Sequence, residues 1–163
     1  MYEKQWSLST HNVDWVNNAD LPHIPTLKIN FNGSSSECCE YLNNKSIVRR
    51  MPTTVDVTFR LQKEQQSRNQ EDRWETGING ILGVANSHGE YIVECEGRAR
   101  HILELVSVAR RYAERLNDTG QYELSIEAND GLVEQWTEVA LIVVSPEGNL
   151  LRKQSLIPPG MDI

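Results

Sequence analysis

At 163 residues, with 39% hydrophobic and 24% charged residues, the chain is long enough to enclose a core without disulfide or metal staples, and one folded domain over residues 1–163 is expected. The net charge of -7 opposes nucleic acid and anionic membrane at long range, and the three cysteines, Cys38, Cys39 and Cys95, lack CxxC spacing, which argues against zinc and for reduced thiols. The N-terminal run MYEKQWSLSTHNVDW has no apolar signal core and nothing approaching the roughly 20 apolar residues of a membrane span, so a cytoplasmic chain with no membrane association is expected.

Lys4 to Val13 places Trp6, Leu8 and Thr10 at a period of two, the pattern of a half-buried strand. Asp14 to Pro25, with Asn17, Asn18, Pro22 and Pro25, reads as a connecting loop. Leu27, Ile29 and Phe31 alternate with Lys28 and Asn30, giving a second strand that stops at Asn32-Gly33. Ser34 to Ser36 offer hydroxyl caps for a helix over Ser35 to Asn43, with Cys38, Tyr41 and Leu42 on its apolar side. Val55, Val57, Phe59 and Leu61 alternate with Asp56, Thr58 and Arg60 in the cleanest strand pattern of the chain. Gln62 to Glu75 is polar on every side and reads as an exposed loop. Ile81 to Ala85 and Glu90 to Cys95 flank Asn86-Ser87-His88-Gly89, a hairpin turning at glycine.

Arg98 to Leu116 carries Ile102, Leu105, Val106, Ala109, Tyr112, Ala113 and Leu116 in one stripe at helical spacing, and the charged face allows Arg100 to pair with Glu104 and Arg110 with Glu114. Tyr122, Leu124 and Ile126 form the next strand, Asn129-Asp130-Gly131 turns it, and Trp136 to Ser145 returns. Pro146-Glu147-Gly148 turns again, Leu150 to Ile157 is the last strand, and Pro158-Pro159-Gly160 ends regular pairing. The element order defines an α+β fold, a largely antiparallel sheet with two helices on one face.

Aligning Gly33 with Gly97 sets INFNG opposite VECEG, and then Cys38, Cys39, Glu40, Tyr41 and Leu42 opposite Ile102, Leu103, Glu104, Leu105 and Val106. This predicts a duplicated strand-helix-strands unit with halves 27–86 and 90–157. Such order is similar to that of sliding clamps and TATA-binding proteins, but no motif of either is present, and element order alone implies no function. The C-terminal run LLRKQSLIPPGMDI, with eleven arginines against five lysines and an excess of acid, resembles an uncharacterised family of small haloarchaeal domains. That resemblance implies no known activity.

Gly77, Gly80 and Gly83 in GINGILG precede a strand and are not followed by GK[ST], so they read as a turn and a close-packed strand rather than a phosphate loop. Cys38 and Cys39, aligned with Ile102 and Leu103, read as core. His11, His23, His88 and His101 have no metal-ligand spacing, and no catalytic, cofactor-binding or metal-binding residue can be nominated. The candidate interaction surface is Arg73 and Trp74, a pairing of types enriched at binding hot spots, with Arg100, Arg111 and Arg115 of the long helix.

These residues predict a non-enzymatic interaction or regulatory domain without cofactor, taking a protein partner or forming a homodimer near Trp6, Trp136 and the strand edges. Two alternatives stand beside it. One is a small-molecule-binding or catalytic domain with a pocket between the repeats; the other is a nucleic-acid binder using the arginine-rich helix.

Overall fold

The sequence alternation reappears as alternation of burial. In a computed structural model that describes residues 5–16, 21–45, 53–62 and 79–161, the strands are β1 (Trp6–His11), β2 (Thr26–Phe31), β3 (Asp56–Leu61), β4 (Asn79–Ala85), β5 (Tyr91–Arg98), β6 (Tyr122–Ala128), β7 (Gly131–Glu138) and β8 (Ile142–Val144). Two α-helices lie among the described residues, α1 (Ser35–Lys45) and α2 (Ala99–Leu116). Arg73, Trp74, Gly77 and most of the polar stretch before them lie outside the described residues.

The fold is α+β, but the strands form two sheets rather than one. The first has the order β1-β2-β6-β7 and the second β5-β4-β3-β8. Pairing is antiparallel except where β2 meets β6 and β3 meets β8, so both sheets are mixed. In both units of the expected duplication the strand that leads into the helix pairs antiparallel with the strand before it, β2 with β1 and β5 with β4, but β2 also lies parallel to β6 whereas β5 is an end strand.

Both sheets and both helices feed one core. Leu27, Ile29 and Phe31 of β2 pack with Leu124 and Ile126 of β6, Phe59 of β3, Leu82 and Val84 of β4, and Val143 of β8. Burying each such side chain contributes roughly 1.5–3 kcal/mol. From α2 come Ala99, Ile102, Leu105, Val106 and Ala109; the predicted stripe runs off the core at its end, where Leu116 is 48% exposed. From α1 come Cys38 and Leu42, while Cys39 is exposed, which corrects its assignment to the core. Trp6, Phe31 and Tyr41 form an edge-to-face cluster with ring centroids 4.9 and 5.6 Å apart from Trp6.

Local chemistry sets the boundaries. The Ser34 hydroxyl accepts from Glu37 N–H at 3.1 Å, and Asp130 in the β6–β7 turn accepts from Ser35 N–H at 2.7 Å and Ser35 Oγ at 3.0 Å, so α1 is capped from within and from across the sheet. Asn117, with φ of 51°, closes α2 by donating its N–H to Ala113 O. In the β4–β5 hairpin, buried Asn86 accepts through Oδ1 from His88 N–H at 2.9 Å and Glu90 N–H at 3.0 Å.

Two strand expectations are corrected. Trp136 to Ser145 does not run as one strand: β7 ends at Glu138, the Tyr122 hydroxyl donates to Ala140 O at 2.7 Å, and the chain crosses to pair β8 with β3 in the other sheet. Leu150 to Ile157 makes isolated bridges, Leu150 to Val144 and Leu156 to Leu141, around a 3₁₀ turn at Arg152–Gln154. Its ladder is interrupted because Val143 N–H donates to the Ser155 hydroxyl at 2.8 Å, and that hydroxyl donates to Leu151 O at 2.8 Å.

Candidate interaction surface

The two sheets present chemically different outer faces. On the first, most polar groups pair with one another: Asn30 Nδ2 donates to Ser9 Oγ at 2.9 Å, Lys28 Nζ meets Glu127 at 2.9 Å, and Glu123 accepts from Thr137 Oγ1 at 3.0 Å and Gln135 Nε2 at 3.2 Å. The Ser125 hydroxyl lies buried in this face with no hydrogen-bond partner.

On the second sheet, register aligns two rows of outward positions. Ile142, Thr58, Gly83 and Glu94 form one; Val144, Arg60, Ile81 and Glu96 form the next. Gly83 leaves the middle low, and the Tyr91 ring covers it: a Cβ at Gly83 would lie 2.5 Å from Tyr91 Cε1. Tyr91 is itself 51% exposed. A groove of about 520 Å³ runs over Gly83 between Thr58, Ile81, Tyr91 and Val144, with Arg60 and Glu94 at its margins. A second hollow of about 660 Å³ shares Arg60 and Ile81 and continues to Pro146 and Glu147. Neither Arg60 nor Glu94 forms an ion pair among the described residues.

The sequence-based candidates fall elsewhere. Arg100 and Arg111 are exposed on α2. Arg115 lies with its guanidinium carbon 5.1 Å from the Trp15 ring centroid, holding the end of α2 against the segment after β1. Arg110 donates to Lys153 O at 2.8 Å and to Ser155 O at 2.5 Å, contacts that fasten the C-terminal segment, in place of the expected pairing with Glu114. A cavity of about 490 Å³ beside it is lined by Glu114, Asp118, Arg152, Leu156 and Pro158 among others. Trp136 is buried opposite Leu124 and is core rather than surface; Trp6 is half-buried in its aromatic cluster.

GINGILG behaves as a close-packed strand where it is described, since a Cβ at Gly80 would lie 2.5 Å from the Phe59 ring. Burial of Cys38 pushes its thiol up to about 11, with Cys39 adding to the shift, which makes it an inert packing group. Glu138 is the most perturbed carboxylate among the described residues: burial first, then the Asp56 carboxylate, push it up to about 7, while Val55 N–H donates to it and works the other way. No group of three or more His, Cys, Asp or Glu is placed to hold a metal ion among the described residues.

Sequence reasoning missed the groove because its members are outward residues of ordinary strands. The available signals were the unusual Arg60 in the alternating strand and the Gly80-Gly83 spacing, and neither identifies a surface until register sets Thr58 beside Gly83 and Arg60 beside Ile81.

Fold and surface together define an α+β chain of two mixed sheets, with a half-apolar groove on one of them. The chain belongs to the family of unknown function DUF5793, whose model matches residues 1–163. No curated protein and no solved structure matches it. Among the described residues no helix is long and apolar enough to cross a membrane.

Proposed function

We propose that this is a non-enzymatic interaction domain, acting as one cytoplasmic unit, that takes a protein partner on the outer face of the second sheet. One contrast carries the reading: the outer face of the first sheet pairs most of its polar side chains with one another, whereas the second carries exposed Tyr91 and partly buried Ile81 and Val144 around a groove whose Arg60 and Glu94 form no ion pair among the described residues. Apolar centre and polar rim are the anatomy of a recognition patch. The excess of arginine over lysine on an acidic chain supports a salt-rich host.

The test is recovery of bound protein from the native host with wild type and with an Ile81→Arg, Val144→Arg variant of unchanged melting temperature. A partner held by wild type and lost by the variant supports the reading; a partner held equally by both rejects this face.

A second reading, contact with an anionic partner through α2, is favoured by the exposure of Arg100, Arg111 and Arg115 on one helix, while Arg73 and Trp74, outside the described residues, stay a separate proposed hot spot of the interaction domain. Glu104 and Glu114 interleave with the arginines and oppose it. Nucleic-acid binding of this kind must weaken steeply with salt and collapse in Arg111→Glu.

A further inference from the structure

We infer that the cavity between the end of α2 and the C-terminal segment is a binding site for a small zwitterion with an apolar body, on the scale of a dipeptide; this goes beyond the proposed interaction face, with which the cavity shares no residue. Its charges are sorted by position. Glu114 stands in the last turn of α2 and Asp118 just beyond it, at the helix end whose carbonyl pole favours a cation. The Arg110 guanidinium is carried away from them by its bonds to Lys153 O and Ser155 O, which set it in the segment that carries Arg152. Among the described residues these carboxylates and guanidinia form no ion pair with one another, so both signs of charge are open to a ligand. Asp118 keeps one oxygen on Thr119 N–H at 2.7 Å.

Charge balance, length and volume select the ligand. Two carboxylates against two guanidinia leave the cavity neutral on a chain of charge -7, so a simple anion or cation meets its own sign at one end. A molecule with an ammonium at one end and a carboxylate at the other meets opposite signs at both. Glu114 is one helix turn past Arg110, and Arg110 reaches away from it, so the two ends stand more than about 5.4 Å apart. A single amino acid is too short to join them, and one further residue adds about 3.3–3.6 Å. Val139, Ile157 and Pro158 supply apolar wall, and the volume of about 490 Å³ suits a small ligand. That wall is built in advance: the Ser155 hydroxyl accepts from Val143 N–H and donates to Leu151 O, and the adjacent prolines fix their own φ.

Nuclear magnetic resonance of the isotope-labelled full chain titrated with leucyl-leucine tests this. Wild type is expected to show saturable shifts at Thr119, Gly120 and Leu156 with a Kd on the order of 1 mM or tighter. N-acetyl-leucyl-leucine, which has no ammonium, and leucyl-leucine amide, which has no carboxylate, are each expected to bind about tenfold more weakly. Glu114→Lys and Arg152→Glu, both at exposed positions, are each expected to weaken the free dipeptide about tenfold. Glu114→Lys should not weaken the acetylated form, nor Arg152→Glu the amide, because each lacks the group that faces the changed charge; this contrast separates lost contact from lost fold. Absence of saturable shifts up to about 20 mM dipeptide, shifts confined to other residues, or equal binding of all three compounds overturns the site. None of these outcomes bears on the second-sheet face, which has its own variants.

Discussion

Leu8 of β1 sits in the space that a side chain on Gly97 of β5 would occupy: a Cβ built there would overlap Leu8 Cδ1 and lie 3.1 Å from its Cγ. β1 and β5 are end strands of different sheets, so this contact is where the sheets meet along one side. Gly97→Ala is expected to cost about 1–3 kcal/mol by overpacking. Leu8→Ala in the same chain should return part of that loss. Urea denaturation of the two single variants and the double variant reads the coupling, and strict additivity would mean that the two residues do not share the space.

The C-terminal segment hangs on two polar anchors. Ser155→Ala leaves Val143 N–H and Leu151 O without the hydroxyl that joins them and is expected to cost about 1–3 kcal/mol. Arg110→Ala, at an exposed site, should cost about 1 kcal/mol and should raise amide exchange at Leu156 more than at β2. Equal effects on both strands would indicate global destabilisation.

Glu138 and Asp130 give pH dependences of opposite sign. Glu138 is pushed up to about 7 from 4.5, so the folded state holds the proton more tightly. Its contribution is fully present below about 4.5 and is lost as pH rises to about 7. Wild type should therefore lose stability from pH 5 to pH 8 relative to Glu138→Gln, as read by urea midpoints. The Asp130 carboxyl is held below its ordinary value by the Ser35 N–H and then the Ser35 hydroxyl. Its contribution is present above about 3.8 and is lost as pH falls through the lowered folded value, so Asp130→Asn should flatten the acid limb and leave the pH 5 to pH 8 difference unchanged.

The thiols should separate by burial. Cys39 is exposed while Cys38 and Cys95 are buried. A thiol reagent added to the native protein should label Cys39 alone, with the other two reacting only in denaturant. Rapid labelling of Cys38 would contradict the packing of α1 on the core.

Local pattern carried much of this fold and almost none of its candidate surface. Val57, Phe59 and Leu61 announced β3 because one buried side chain in every two residues has only one regular solution, and α2 was equally plain from Ile102, Leu105, Val106 and Ala109. What could not be read was partnership. β2 lies parallel to β6, roughly a hundred residues away, and β8 leaves the strand it seemed to continue, since the Tyr122 hydroxyl and buried Leu141 fix the crossing between sheets. The aligned residues of the two units describe similar local elements, which is all that sequence offsets can encode; β2 and β5 each pair antiparallel with the strand before them, but only β2 gains a second, parallel neighbour, β6. The groove suffers the same limitation. Arg60 and Glu94 are separated in sequence and become one surface only through the β3–β4–β5 register.

The most direct test of the proposed face is nuclear magnetic resonance of isotope-labelled protein titrated with the protein partner recovered from the native host. The account predicts progressive shifts at Thr58, Arg60, Ile81, Gly83, Tyr91 and Glu94, with Lys28, Asn30 and Gln135 on the first sheet and Arg100 and Arg111 on α2 unchanged. Shifts confined to α2 or to the first sheet would contradict it.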